Sequence, residues 1–303
     1  MIYQESLSKF KTEVVEAVEE LFSFAYKNQT HPQDLLLVDQ HGFFDEMLAK
    51  PEVKARHNLS PYVLGPGFIG HSDSTHYEFI DWYRQNHTFN KEEYENKKKE
   101  DPNFEKAERL SIHIELLIYL KFWEADLNLK RLYQLTRLCR GENYDWLFEL
   151  PKDPREGSRH EVIRIQIRDS IKDICPKFYQ LIKSIYIPQL RNAIAHSQFA
   201  FFGKIIDLLN YSENPKAYCP KKAINMDEWD EIFHKTILMH NELIRNFQHY
   251  VNKYSEFSKK NHNKIDLRIT LPDATEKIEH VGKVNDRDEW IWYKNLRPED
   301  FEQ

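Results

Sequence analysis

In the stretch Ile187-Pro-Gln-Leu-Arg-Asn-Ala-Ile-Ala-His-Ser-Gln-Phe199 a strong cation (Arg191), an amide (Asn192) and an imidazole (His196) stand close together just before an aromatic segment. Each supplies a separate piece of phosphate chemistry. An imidazole titrates near neutrality and serves as general base or general acid. A guanidinium makes bidentate hydrogen bonds to phosphate oxygens and stabilises charge that develops on them. The amide can orient the imidazole or hold a phosphate oxygen itself. The same three side chains also fit the polar end of an ordinary helix, with the arginine on a carboxylate, the asparagine near a cap and the histidine bonded to backbone.

The elements that must position these groups follow from their neighbours. Pro188 opens a helix at its first turn, where a missing N–H costs nothing, and Ala193, Ile194 and Ala195 continue it, so a short helix is predicted over Pro188 to His196. Arg191 and His196 are then separated by about 140° around the helix axis. One straight helix does not easily aim both at one atom. Either the helix ends at His196, or the site is completed by a second copy of the segment across a two-fold axis.

The run Arg191-Asn192-Ala-Ile-Ala-His196 resembles the Arg-x-x-x-x-His motif of the HEPN domain (higher eukaryotes and prokaryotes nucleotide-binding), including the polar residue after the arginine. The likeness covers the motif closely and the helical region from about Ala107 to Lys260 loosely. It implies a dimeric helical bundle and a metal-independent endoribonuclease of the prokaryotic toxin or antiviral-defence type, with Arg191, Asn192 and His196 as catalytic residues. It also implies an RNA substrate, a homodimer, no cofactor, no metal, and an antitoxin or other regulatory protein as a further partner. Toxins of this family that are paired with a nucleotidyltransferase antitoxin often carry a tyrosine two residues after the histidine; this chain has Gln198 there. Two other readings compete. One is a non-catalytic HEPN-like module that binds nucleotide or RNA, and the other is a helical scaffold whose C-terminal apolar stripe docks a partner protein.

Composition limits the remaining choices. The 303 residues suffice for a large core, and 41% hydrophobic with 14% aromatic residues describes a globular chain. A net charge of −6 and a pI near 6.2 provide no global positive field, so RNA must be met by local patches. Arg164, Arg168 and Lys172 form such a stripe, on another face from Ile163, Ile167, Ile171 and Ile174. Arg164 and Arg168 are therefore the candidate substrate-binding residues, the alternative being a solvated helix face. Cys139, Cys175 and Cys219 have no Cys-x-x-Cys spacing and fit reduced thiols in a cytosolic protein. No signal peptide or apolar run of about 20 residues is present, so a soluble, cytoplasmic protein without membrane contact is expected. Gly65-Pro-Gly67-Phe-Ile-Gly70 matches a dinucleotide fingerprint in spacing but lacks its strand and helix, and reads as a structured loop. His71, Asp73, His76 and His87 match no zinc spacing, and His240 reads as a core histidine.

Periodicity predicts a mainly α fold, an elongated helical bundle with a short β-hairpin after the motif and a small C-terminal β meander. Residues 1–103 read as an N-terminal helical region with a long loop at 59–75, residues 104–260 as the HEPN-like helical domain and 261–303 as the β appendage. Helices are predicted over Ser8 to Tyr26, from Asp34 to a stop at Pro51, and over Tyr77 to His87, with Asn90 to Asn103 a charged connector. Glu105 to Arg140 reads as one main helix burying Leu110, Ile114, Leu117, Ile118 and Trp123, closed by Gly141. A second long helix follows Asn225-x-x-Glu228, with Trp229, Phe233, Thr236, His240, Leu243, Phe247, Tyr250, Tyr254 and Phe257 as its stripe.

Overall fold

The computed structural model describes residues 1–42, 64, 78–151, 158–214, 219–271, 273–284 and 289–295. In chain order the elements are β1 (Ile2–Tyr3), α1 (Gln4–Asn28), α2 (Asp34–Gln40), α3 (78–86), β2 (Thr88–Phe89), α4 (Lys91–Glu100), α5 (Phe104–Glu124) and α6 (Asp126–Cys139). A single turn, α7 (Arg159–Glu161), leads into a π-helical stretch, Val162–Arg168, and a 3-10 turn, Asp169–Ile171. Then come α8 (Pro176–Ile185), α9 (Pro188–Ala195), β3 (Phe199–Phe202), β4 (Ile205–Leu208), β5 (Ala223–Asn225), α10 (Met226–Lys260), β6 (Ile265–Thr270), β7 (Glu276–Val284) and β8 (Glu289–Trp292). The fold is mainly helical with small sheets, and β6, β7 and β8 form the antiparallel C-terminal meander. No helix among the described residues is long and apolar enough to cross a membrane.

The chain folds into two units, each assembled from three separate segments, so the helical stretch 104–260 contributes to both. The first comprises Met1–Val18, His76–Ala125 and Lys177–Glu242; the second comprises Glu19–Thr75, Asp126–Pro176 and Leu243–Gln303. In the first unit, β1 lies parallel to β2, and β3, β4 and β5 form an antiparallel sheet whose two-residue turn places Gly203 at φ 59°. A left-handed first turn position suits glycine and matches the twist of the strands it joins. In the second unit Trp146 and Trp290 lie in the core, and the indole N–H of Trp146 donates to the carbonyl of Arg268 on β6.

The apolar spacing of α1 and α10 matches their burial. Phe10, Val14, Val18, Leu21, Phe22 and Ala25 are buried on α1, and on α10 every stripe position from Trp229 to Tyr254 is buried. Phe257, the last of the stripe, is exposed, and the helix continues past it to Lys260. The stripe is thus part of the chain's own core. Gly141, at φ 73°, ends α6, with the Glu142 N–H returning to the carbonyl of Arg137.

Three expectations need correction. The predicted main helix is two: Ala125, at ψ 121°, is extended, so α5 stops at Glu124, and Asp126 starts α6 with its carboxylate in the first turn, where the helix dipole favours it. The charged stretch after Asn90 is a helix, because the Asn90 side chain accepts the Glu93 N–H while Glu93 accepts that of Asn90, although none of α4 is buried. Finally, α5 buries Ser111, Glu115, Leu116, Ile118, Tyr119, Phe122 and Trp123 and leaves Leu110 and Leu117 more than half exposed. Helix α2 ends at Gln40, and its predicted continuation to Pro51, most of the 59–75 loop, the glycine fingerprint and the group His71, Asp73 and His76 lie outside the described residues.

Candidate functional site

Helix α9 carries the motif, and the first unit fixes it from three sides. Leu190, Ala193 and Ile194 are buried. Gln189, also buried, is bonded at both ends of its amide: its Oε1 accepts the Lys221 N–H (2.9 Å), and its Nε2 donates to the Lys221 carbonyl (2.7 Å). Tyr119 of α5 sits where α8 gives way to α9. Its hydroxyl donates to the carbonyl of Ile185 (3.0 Å) and accepts the N–H of Ile187 (3.1 Å), and burial raises its pKa far above the usual phenol value. Tyr119→Phe leaves that carbonyl and that N–H without their partner, and a loss of about 1–3 kcal/mol is expected in urea unfolding. An unchanged unfolding midpoint would show that the hydroxyl does not hold the start of α9.

The other side of α9 presents the motif. Arg191 is partly buried, and its Nε and one terminal nitrogen contact the Glu124 carboxylate at the C-terminal end of α5. The other terminal nitrogen donates to the side-chain oxygen of Asn192 (2.8 Å). A guanidinium has five N–H groups. With three engaged, two remain without a partner among the described residues, one on each terminal nitrogen. Asn192 is exposed, and its side-chain oxygen accepts from Arg191, so it orients the guanidinium.

His196 closes the helix, one of the two geometries the spacing raised. Its backbone is no longer helical (φ −105°, ψ 11°), its N–H still reaches the Asn192 carbonyl, and Ser197 adopts a left-handed φ of 53°. The Gln198 N–H then returns to the Ala193 carbonyl (2.7 Å) and the Ser197 N–H to that of Ile194 (3.2 Å), a Schellman ending. Glycine commonly occupies that left-handed position; a serine there stores backbone strain beside the motif. The His196 side chain is exposed, and no hydrogen bond to its ring is made among the described residues. The arginine-on-carboxylate part of the ordinary reading is therefore present, and the His196 imidazole is exposed at the end of the same helix.

The remaining candidates lie elsewhere. Arg164 and Arg168 belong to the second unit, on the π-helical stretch, so the structure does not bring them together with the motif inside one unit. Arg168 donates to Asp169 (2.6 Å), and the Arg164 Nε is buried with no hydrogen-bond partner among the described residues. His240 is buried with its ring edge-on to Phe122. Among the described residues no three His, Cys, Asp or Glu side chains gather as metal ligands. Sequence reasoning missed Glu124, Tyr119 and Gln189; none carried a signal, because their partners are tens of residues away.

Two cavities flank this region of the first unit. One, of about 500 Å³, is lined by His113, Leu117, Ile194, Ser197, Phe199 and Phe201 among others. The second, of about 600 Å³, includes Ser6, Asp230 and His234 in its walls. These three resemble a nucleophile, acid and base, since Asp230 accepts from the Ser6 hydroxyl (2.7 Å) and lies 3.0 Å from His234 Nδ1. His234 Nε2, however, accepts the Tyr3 N–H (2.8 Å), so the nitrogen that would serve as base is already occupied and the arrangement is structural. Comparison with family models, with curated proteins and with solved structures found no match for this chain.

Proposed function

We propose that this chain is a metal-independent endoribonuclease of the HEPN kind, acting on RNA as a toxin or antiviral-defence effector. The observation that carries the reading is the ending of α9: the helix stops at His196 and leaves its imidazole exposed, while Arg191 is held by Glu124 and Asn192 with two N–H groups to spare. His196 takes the 2′-OH proton, the 2′ oxygen attacks the adjacent phosphorus, and Arg191 stabilises the charge that develops on the non-bridging oxygens. The bond to the 5′ oxygen breaks, and that oxygen must gain a proton, leaving a 2′,3′-cyclic phosphate and a 5′-OH.

The proton for the leaving oxygen is supplied, in this proposal, by His196 of a second copy. Support comes from α5, whose Leu110 is 56% exposed with half-buried Ile114 one turn on. This spacing forms an apolar stripe on the helix that also bears Glu124, the kind of surface a two-fold partner covers. Purified protein is expected to cleave RNA in excess chelator and to leave the cyclic ends, read by end-group analysis. Strict dependence on added divalent metal, or 3′-OH products, would overturn it.

A further inference from the structure

The cavity of about 500 Å³ beside α9 has a chemistry the motif does not use. Its walls come from α5 (His113, Leu117), α9 (Ile194) and the segment just after it (Ser197, Phe199, Phe201). Its rings pack against one another: His113 lies edge-on to Phe201 (centroids 4.7 Å, 83°) and tilted against Phe199 (5.8 Å, 53°). Phe199 and Phe201 are themselves edge-on at 5.8 Å. Among the described residues no Asp, Glu, Lys or Arg lines it, and its side-chain polar groups are the His113 imidazole and the Ser197 hydroxyl.

We propose that this cavity is a nucleobase subsite, which takes the base of a nucleotide next to the scissile phosphate; the inference rests on the ribonuclease reading above. Charge complementarity selects the occupant. A cavity without a formal positive charge does not accept a phosphate, whereas the base is the neutral, planar and apolar-faced part of RNA, and splayed single-stranded bases are held by Phe, Tyr and His rings. Position selects it as well. Ser197 follows His196 directly and Ile194 lies between Arg191 and His196, so the cavity shares its wall with the helix end that carries the motif. The volume exceeds that of one base and leaves room for part of the ribose. The two polar groups give the base edge one imidazole and one hydroxyl to bond, which makes the site selective among bases as well as adhesive.

The test uses short single-stranded RNAs that differ only by one abasic nucleotide, moved along the strand. Binding is measured by fluorescence anisotropy on His196→Ala protein, which keeps the RNA intact, and cleavage on the wild-type chain. One abasic position is expected to weaken binding by roughly fivefold to 150-fold, the range that loss of a single stacked base produces. In His113→Ala and Phe199→Leu backgrounds, each checked for an unchanged melting temperature, that penalty should shrink. Binding insensitive to every abasic position, a penalty unchanged in both variants, or no binding at all would overturn the subsite. If His113→Ala weakened self-association and left the penalty intact, the cavity would belong to a contact with a second copy and the proposal would fall. Base-dependent binding without cleavage by the wild-type chain would keep the subsite and remove the ribonuclease reading, so the two failures are distinguishable.

Discussion

Replacing His196 with alanine is expected to lower RNA cleavage by about 10²-fold to 10⁴-fold and to leave the melting temperature of the chain unchanged. The kinetic half follows from the role: a positioned imidazole lowers the barrier for proton transfer from the 2′-OH, and alanine leaves water to do it. The stability half follows from the structure. The ring is exposed, and the hydrogen bond that seats this residue, from its backbone N–H to the Asn192 carbonyl at 3.0 Å, survives the substitution. The bonds that return from the Ser197 N–H to Ile194 and from the Gln198 N–H to Ala193 also survive. Full activity with an intact fold would place the acid–base chemistry on another residue, and a large fall in melting temperature would show that the ring has a structural role. Growth arrest on expression of the wild-type chain that disappears in His196→Ala would link the same imidazole to the proposed cellular effect.

What the sequence revealed of this site, and what it hid, divides along lines of range. Helix α9 was legible because Pro188 and an alanine-rich run are local signals. Its ending at His196 was one of two geometries that could reconcile a separation of about 140° with a shared target. The left-handed Ser197 was not legible, since serine carries no preference for that conformation. The stripe of α10 showed in its period because burial runs along most of a 35-residue helix. The face of α5 was misread for a specific reason. Leu110, Ile114 and Leu117 make as good an apolar stripe as any, but the helix turns inward a face whose polar groups satisfy one another. The Tyr83 hydroxyl, its pKa pushed up to about 12 by burial, lies 2.6 Å from that of Ser111, and the Trp229 indole donates to Glu115 (2.9 Å). Such long-range polar pairing has no periodic signature. The break at Ala125 was equally silent, because alanine is the best helix former and nothing local forbids continuing through it.

Glu124, exposed to view only by that break, determines the second large effect. Arg191→Ala is expected to lower cleavage by roughly 10²-fold to 10³-fold, the range seen when one preorganised donor to a developing oxyanion is removed. Arg191→Lys should recover little of this, although it restores the charge. The guanidinium spans two partners at once, Glu124 through Nε and one terminal nitrogen and Asn192 through the other, and still holds two N–H groups in a fixed plane. An ammonium is one mobile point charge, which settles on the carboxylate and leaves Asn192 and the phosphate unserved. The loss should fall on kcat more than on KM, because the charge being stabilised exists only in the transition state. Glu124→Gln separates geometry from charge in the opposite sense. The amide keeps one acceptor for Arg191 and releases the guanidinium from a negative partner, so phosphate binding should tighten and KM fall, while kcat drops because the plane is held by one weaker bond. If Arg191→Lys turned over like the wild type, charge alone would be enough and the fork geometry built by Glu124 and Asn192 would have no catalytic meaning. If Glu124→Gln left both constants unchanged, Arg191 would be a surface ion pair at the end of α5, and the proposed cation of the site would have to be found elsewhere.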